Sequence, residues 1–345
     1  MKAAHGGWEV WSVEAGPQGP RKQVRSLPAG GSVQVPAVAG LPAFAVAVRE
    51  PASPSPAEVS IAADVPLFVL ADTHGEYEIM VRLLQAHGVI DDALRWSFGK
   101  GRLAVLGDVL DRGAHQTEIL WLLYRLEDEA ARAGGGVHLL LGNHELMVMS
   151  GDVRYLNPKY RRSAQILGVD SYAELLGPQT LLGQWLRAKP AVMKLNDQLL
   201  LHGGISRAVV DRGLTLDELN ATVRSLLDAS SRFGLWVNAR TRLVAGPLGP
   251  LWYRGYFAGQ SDYPAATLDD VKAVLHHFGV RTVLVGHTAV PTVTPLYGGR
   301  VIAVQVYPRR DPGTGAFIAE GVLIERGVRF RATIDGRRER LEPAP

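Results

Sequence analysis

The stretch Leu67-Phe68-Val69-Leu70-Ala71-Asp72-Thr73-His74-Gly75 decides the fold: a five-residue apolar run that stops on an aspartate, a histidine and a glycine. A run this short and this apolar, bounded by glycine, reads as a buried strand. The same construction returns four times. Leu103 to Leu106 runs into Gly107-Asp108-Val109-Leu110-Asp111-Arg112-Gly113, and Val137 to Leu141 into Gly142-Asn143-His144-Glu145. Leu199 to Leu201 ends in His202-Gly203-Gly204, and Thr282 to Val285 in Gly286-His287-Thr288. In open α/β sheets, ligands gather beyond the carboxyl ends of the strands. Asp72, His74, Asp108, Asn143, His202 and His287 are therefore expected to converge on one spot.

Outward from these runs the chain alternates strand and helix. Glu76 to His87 places Ile79, Met80, Leu83 and Leu84 at helical spacing, with Gly88 as a stop, and Thr117 to Ala133 repeats the pattern before Gly134-Gly135-Gly136. Leu268 to Phe278, closed by Gly279, predicts a third helix. Strand–helix–strand units of this length imply crossover connections and a largely parallel central sheet. The segments 146–197 and 205–281 exceed what a connection needs and are expected to be partly helical walls of the site. The tail from Arg300 to Ile334 reads as β-hairpins completing a second sheet.

Residues 1–62 differ in composition. They are rich in Gly, Pro and Ala, carry alternating stretches such as Ser32-Val33-Gln34-Val35 and Phe44-Ala45-Val46-Ala47, and end in a Pro-rich segment. That pattern predicts a small β-rich extension and linker, followed by a main domain over 63–335. Trp8, Trp11 and Phe44 argue against disorder, because disordered segments are poor in aromatics.

Composition sets wider bounds. The 345 residues are 47% hydrophobic and 21% charged, the proportions of a globular protein. A net charge of +3 calls for neither nucleic acid nor an anionic membrane as partner. No cysteine is present, so disulfides and thiolate metal sites are excluded. No apolar run is long enough to span a bilayer. Met1 to Val10 has no apolar core of the kind a signal peptide needs, which makes the cytoplasm the default compartment; an exported chain already stripped of its signal would look the same.

The chemistry lies in the strand-end clusters. An Asp carboxylate can give one oxygen to each of two cations, which suits Asp108 to a bridging position. Asn143 offers a neutral carbonyl oxygen, and His202 and His287 offer imidazole nitrogens. Hard oxygen mixed with borderline nitrogen suits manganese, iron or zinc better than calcium or magnesium. Asp72 and His74, two apart on what reads as an extended strand end, should face the same side. Any single cluster of this kind is ordinary turn chemistry. Five in succession, each after its own apolar run, point instead to a metallohydrolase site.

These motifs resemble those of the calcineurin-like metallophosphoesterases and, within them, the phosphoprotein phosphatase family. The specific parts are Gly107-Asp108-Val109-Leu110-Asp111-Arg112-Gly113 and Gly142-Asn143-His144-Glu145. The Gly286-His287-Thr288 cluster and Gly249-Pro250-Leu251-Trp252-Tyr253-Arg254-Gly255 look most like the Shewanella-like phosphatase branch. The resemblance implies an α/β fold built as a β-sandwich of mixed sheets flanked by helices (αββα). It implies two metal ions, manganese first and iron or zinc next. Asp72, His74 and Asp108 would hold one, and Asp108, Asn143, His202 and His287 the other. His144 would act as general acid with Asp111 orienting it, while Arg112, Arg254 and Asn143 would bind the substrate phosphate and Glu145 would hold backbone or arginine groups in place. The implied reaction is hydrolysis of phosphotyrosine or phosphoserine/threonine in a protein or peptide by a metal-bridging hydroxide. No counterpart of the tyrosine-bearing C-terminal loop of eukaryotic Ser/Thr enzymes is evident.

Two other readings share the scaffold. A dinucleoside polyphosphate hydrolase would need a base-stacking pocket, for which Trp236, Trp252 and Tyr256 are the candidates. A non-catalytic binding scaffold would be expected to have lost ligands or the acid. Finally, Arg154-Tyr155-Leu156-Asn157-Pro158-Lys159-Tyr160-Arg161-Arg162 reads as a solvated helix start with packed tyrosines, with a basic aromatic rim as the competing reading.

Overall fold

The computed structural model describes residues 1–50, 53–228, 238–260 and 262–341. The N-terminal segment forms the antiparallel sheet β1 (Lys2–Ala4), β2 (Gly7–Glu14) and β3 (Arg21–Pro28), then the hairpin β4 (Ser32–Val35) and β5 (Phe44–Ala47). Period-two alternation puts Val33, Val35, Phe44 and Val46 inside and their neighbours outside. These side chains join Trp8 and Val10 in the same hydrophobic cluster as the helices of the main body. Arg49 fastens the junction: its backbone N–H donates to the Tyr124 hydroxyl at 2.9 Å and its guanidinium to the Tyr124 carbonyl at 2.6 Å. The extension is packed onto the body, and β6 (Glu58–Val59) enters one of the body's own sheets.

In the body, β7 (Leu67–Leu70), β8 (Arg102–Val105) and β9 (Gly136–Leu139) lie parallel, joined by the crossover helices α1 (Tyr77–Ala86) and α2 (Gln116–Arg132). The second sheet contains β10 (Val192–Leu195), β11 (Gln198–Leu201), β12 (Thr282–Val285), β13 (Thr294–Leu296) and β14 (Val301–Ala303), in the order β13-β14-β12-β11-β10-β6. After the short ribbon β15 (Arg309–Arg310) and β16 (Phe317–Ile318), the chain returns as β17 (Glu320–Glu325), β18 (Val328–Thr333) and β19 (Arg338–Arg340). These three pair antiparallel beside β7, giving the order β19-β18-β17-β7-β8-β9.

The two six-stranded sheets pack face to face. Leu67, Val69, Ala104 and Leu106 of the first meet Met193, Leu200, Leu284 and Ile302 of the second in one buried layer. The alternate residues Phe68, Leu70, Leu103 and Val105 point the other way, into the cluster that holds Ile79 of α1 and Ile119 of α2. Burial on both faces explains why β7, β11 and β12 read as continuous apolar runs. The αββα expectation of mixed sheets holds, since hairpin returns add antiparallel edges to the parallel cores. One correction concerns the tail, which is shared between both sheets: β14 joins the second, whereas β17 to β19 complete the first.

The long segments are helical walls, as expected. The first carries α3 (Asn143–Met149), α4 (Pro158–Leu167), a 3₁₀ turn (Tyr172–Leu176) and α5 (Leu181–Arg187). The second carries α6 (Arg207–Asp211), α7 (Leu216–Leu226), α8 (Ala239–Val244) and α9 (Leu268–Phe278). Among the described residues no helix is long and apolar enough to cross a membrane.

Because the extension shares the core, Phe44→Ala, at a ring only 5% exposed, should cost about 3–5 kcal/mol of stability. Urea unfolding followed by fluorescence should show one transition moved to lower denaturant. A small early transition with the main one unmoved would show the extension to be an independent unit.

Candidate functional site

The carboxyl ends of β7, β8, β9, β11 and β12 converge as the sequence predicts, and Asp108 lies at the centre. Its Oδ2 stands 3.2 Å from His202 Nε2, 3.6 Å from His74 Nε2 and 3.8 Å from His144 Nε2. Two groups able to hold a cation share it. His74, Asp108 and His144 each offer a ligand atom within 4.8 Å of the others, and so do Asp108, His202 and His287. Asn143 is beside the second group, its Oδ1 2.8 Å from His202 Nε2. Asp72, which is in neither group, has Oδ1 3.8 Å from His202 Nδ1 and accepts the His287 backbone N–H at 3.1 Å. All six predicted ligands are buried.

One reason given for the convergence fails. Asp72 and His74 do not continue an extended strand; both are left-handed, with φ of 48° and 42°. So are Asp108, Asp111, Arg112 and His287, at 54°, 70°, 66° and 61°. Side chains rarely adopt this region, and each such residue costs on the order of 1–3 kcal/mol. The loops offset that cost by binding one another: the His74 and Gly75 amides donate to the Asp108 and Val109 carbonyls at 2.9 and 3.1 Å. Close approach is built in too. A Cβ on Gly142 would collide with Asp108 Oδ1, and one on Gly286 with Asp72 Oδ1.

Three of the four imidazoles have one nitrogen fixed from behind. His74 Nδ1 is 2.9 Å from the Leu110 carbonyl and His202 Nδ1 2.8 Å from the Leu106 carbonyl, which leaves Nε2 facing the site. His144 Nδ1 is instead 2.6 Å from the Asp111 carboxylate. His287 Nε2 is buried and, among the described residues, has no hydrogen-bond partner. Glu145 accepts the amides of Asp108, Val109, Leu110 and Gly142 at 2.8–3.0 Å, the backbone role expected of it.

Burial and charge set the protonation states. Burial lowers His74 to about 4, with Asp108 opposing. Burial likewise pushes His287 well below its usual value, and His202 and Arg254 act in the same direction. For His202 burial is outweighed by Asp108 and Asp72, which raise it to about 9. Asp72 is raised by burial to about 7, while Asp108, flanked by His202 and His144, lies well below the carboxylate range in spite of its burial. A cation-holding site fits these residues. Carboxylate and amide oxygens alternate with imidazole nitrogens, His287 is neutral and uncommitted, and Asp108 is an anion shared by both groups.

The two arginines border this cluster. Arg112 is exposed, with its guanidinium 5.8 Å from the Tyr307 ring. Arg254 is half-buried and donates to Thr288 Oγ1 at 3.3 Å. Sequence reading passed over Tyr307, whose ring also lies 5.9 Å from that of His74. It follows β14 by four residues, so the strand-end rule that found the other clusters could have found it. Gln116 was also missed; it is buried and accepts the Asp111 amide at 2.7 Å.

Of the base-stacking candidates, Tyr256 is buried with its hydroxyl donating to the Ile205 carbonyl at 2.9 Å, so it offers no face to a ligand. Trp252 packs edge-on to His287 at 5.7 Å, and Trp236 lies outside the described residues. The tyrosine-rich segment also divides. Tyr160 is packed, as expected, but Tyr155 is 50% exposed with its ring 5.4 Å from His144, its loop joined to Arg112 by one backbone bond and one from the Asn157 side chain.

Residues 65–291 match the calcineurin-like phosphoesterase family. A solved cold-active protein-tyrosine phosphatase of a psychrophilic Shewanella species is 34% identical, with a TM-score of 0.81 over 96% of this chain and 99% of that one. Shewanella-like protein phosphatase 2 of Arabidopsis thaliana is 40% identical over 100 residues, 29% of this chain and 26% of that protein. Shewanella-like protein phosphatase 1 of Plasmodium berghei is 23% identical over 231 residues, 66% of this chain and 62% of that protein. The matches to these two relatives thus span 26% and 62% of their lengths.

A cation must displace the proton that His202 holds up to about pH 9 in the metal-free protein. Binding of Mn²⁺ near pH 8 should therefore release protons, and affinity should fall as the pH is lowered. Calorimetric titration in buffers of different ionisation enthalpy measures the release; identical apparent enthalpies would contradict it.

Proposed function

This chain belongs to the calcineurin-like phosphoesterase family, and on that premise we propose that it is a metal-dependent phosphomonoesterase acting on phosphorylated protein side chains. The observation that carries the reading is the His144–Asp111 pair, 2.6 Å apart, beside Asp108, the carboxylate shared by two groups able to hold a cation. The phosphatase names of the Shewanella, plant and Plasmodium relatives support it. The family match begins at residue 65, next to the start proposed here for the catalytic domain at 63, with residues 1–62 as its extension.

In this reading Asp72, His74 and Asp108 hold one cation, and Asp108, Asn143, His202 and His287 hold the other, with manganese as the proposed ion. When bound, such a pair supplies a nucleophilic water at neutral pH and neutralises charge on the phosphoryl group. Arg112 and Arg254, on either side of the cluster, clamp the phosphate oxygens, since a planar guanidinium donates two parallel hydrogen bonds. Asn143 adds a polar contact beside them.

The departing alkoxide or phenoxide needs a proton, and His144 is placed to give it. With Nδ1 engaged by Asp111, its free nitrogen is Nε2, which faces Asp108 across 3.8 Å. Burial disfavours the imidazolium, yet Asp108 and Asp111 outweigh it and raise the pKa of His144 above its usual value. Cations would cancel the field of Asp108. The Asp111 hydrogen bond remains, so the orienting aspartate also keeps the acid charged. A water oxygen forms the new P–O bond and gives up one proton to solvent, the ester P–O bond breaks, and the His144 proton leaves with the alcohol.

His144→Asn should lower kcat for p-nitrophenyl phosphate by about 10²–10⁴-fold while the metal content stays unchanged. The nitrophenolate leaving group is stable without a proton, so the loss should be larger with a phosphoserine peptide. Assays on both substrates, with metal analysis of the same preparations, check this. Near-wild-type rates on both would remove His144 from the role of acid.

A further inference from the structure

Three aromatic rings border the site, each against a different histidine: Tyr307 beside His74 at 5.9 Å, Trp252 beside His287 at 5.7 Å and Tyr155 beside His144 at 5.4 Å. Chemistry separates them. A leaving group must lie next to the residue that protonates it, so the ring beside the acid is the ring beside the leaving group. That ring is Tyr155. Tyr307 is half-buried under the Arg112 guanidinium, and Trp252 meets His287, not the acid, with the ring planes at 87°.

Tyr155 is exposed but held in place. Its carbonyl accepts the Arg112 amide at 3.0 Å, and two residues later the Asn157 amide group donates to the Arg112 carbonyl at 2.8 Å. Arg161 donates to the Val153 carbonyl at 2.7 Å and to the Arg154 carbonyl at 3.3 Å. Arg154 forms a two-point pair with Asp152 at 2.9 and 2.6 Å, with its guanidinium 6.0 Å from the Tyr155 ring. The loop is thus fastened both to the phosphate-clamping segment and to α4. A half-exposed ring on a fastened loop is a stacking platform whose ordering cost is met before substrate arrives.

We propose that Tyr155 is a specificity-determining residue, which favours aryl over alkyl leaving groups and hence phosphotyrosine over phosphoserine. The inference rests on the phosphatase reading given above. An aromatic pair prefers offset or edge-to-face contact with centroids about 4.5–7 Å apart. The His144 ring lies 5.4 Å from that of Tyr155, so a phenyl ester protonated by His144 would have Tyr155 as its neighbouring ring. A phosphoserine presents only a methylene there and loses nothing when the tyrosine is removed.

The test uses the full chain loaded with Mn²⁺ and one peptide sequence bearing either phosphotyrosine or phosphoserine. Tyr155→Ala should lower the ratio of kcat/KM for the two peptides by about 2–10-fold, mainly through a higher KM for the phosphotyrosine form. Tyr155→Phe, which keeps the ring, should hold the ratio near the wild-type value. If Tyr155 merely props up the Arg112 loop, both peptides would suffer equally and the ratio would stand still, which overturns the proposal. A Phe variant as impaired as the Ala variant overturns it as well, because the ring would then not be the active element. A wild-type protein that hydrolyses neither peptide overturns the phosphatase reading and this inference with it, whereas an active wild type with an unmoved ratio overturns this inference alone.

Discussion

The site depends on the placing of one carboxylate. Asp108 reaches three imidazoles with a single oxygen, and its other oxygen accepts the His144 amide at 3.0 Å. Nothing about a β-strand end holds a side chain in that position unaided, least of all with a left-handed backbone. Glu145 does it. Its buried carboxylate gathers three consecutive amides, from Asp108 to Leu110, together with that of Gly142. Charge-assisted hydrogen bonds of this kind are about twice as strong as neutral ones. Here four of them oppose the burial and the Asp108 charge, which together still raise the Glu145 pKa above its usual value. They also tie the loop after β8 to the start of α3, so that Asp108, Asn143 and His144 are set as one rigid unit.

The energetic burden of that unit is spread through the fold. Six site residues adopt positive φ, a conformation that would relax if the loops were free. Three adjacent strand ends prevent it: the loop after β7 donates amides to carbonyls of the loop after β8, that loop donates its own to Glu145 of the third, and two packed sheets fix the strands themselves. This accounts for the continuous apolar character of β7, β11 and β12: the core must be stiff enough to hold strained loops at its rim. The site and the sandwich are therefore parts of a single physical solution.

Much of this was legible in the sequence, and the reasons differ by element. The five strand ends could be read because burial on both faces gives uninterrupted apolar runs, and the polar residues after them stand out by contrast. α9 could be read to the residue, since Gly279 at φ 61° is the left-handed cap its pattern calls for. Sheet membership of the tail could not, because alternation marks a strand without naming its neighbour. Nor could the left-handed turn at Asp72 and His74, where a two-residue spacing suggested extended backbone. Gln116 lies only five residues from the Asp111 amide that it accepts, yet nothing in the local pattern marks that bond, whereas Tyr307, four residues after β14, was open to the strand-end rule. Tyr155 looked like any helix-start tyrosine until its loop was found tied to Arg112.

Distance alone does not separate the roles of two of the histidines. His74 and His144 are almost equally far from Asp108, and either could hold a cation. What differs is the partner behind each ring. His74 is backed by a carbonyl, which accepts one N–H and leaves Nε2 as a lone-pair donor on a neutral imidazole. His144 is backed by a carboxylate, which stabilises the doubly protonated ring and turns Nε2 into a proton donor. The pKa directions follow the partners: burial takes His74 down to about 4, whereas for His144 the two aspartates overcome burial and raise it. A cation repels the second ring and attracts the first. The choice between Leu110 O and Asp111 Oδ2 as backing atom thus supports the division of labour proposed here, ligand on one side and acid on the other.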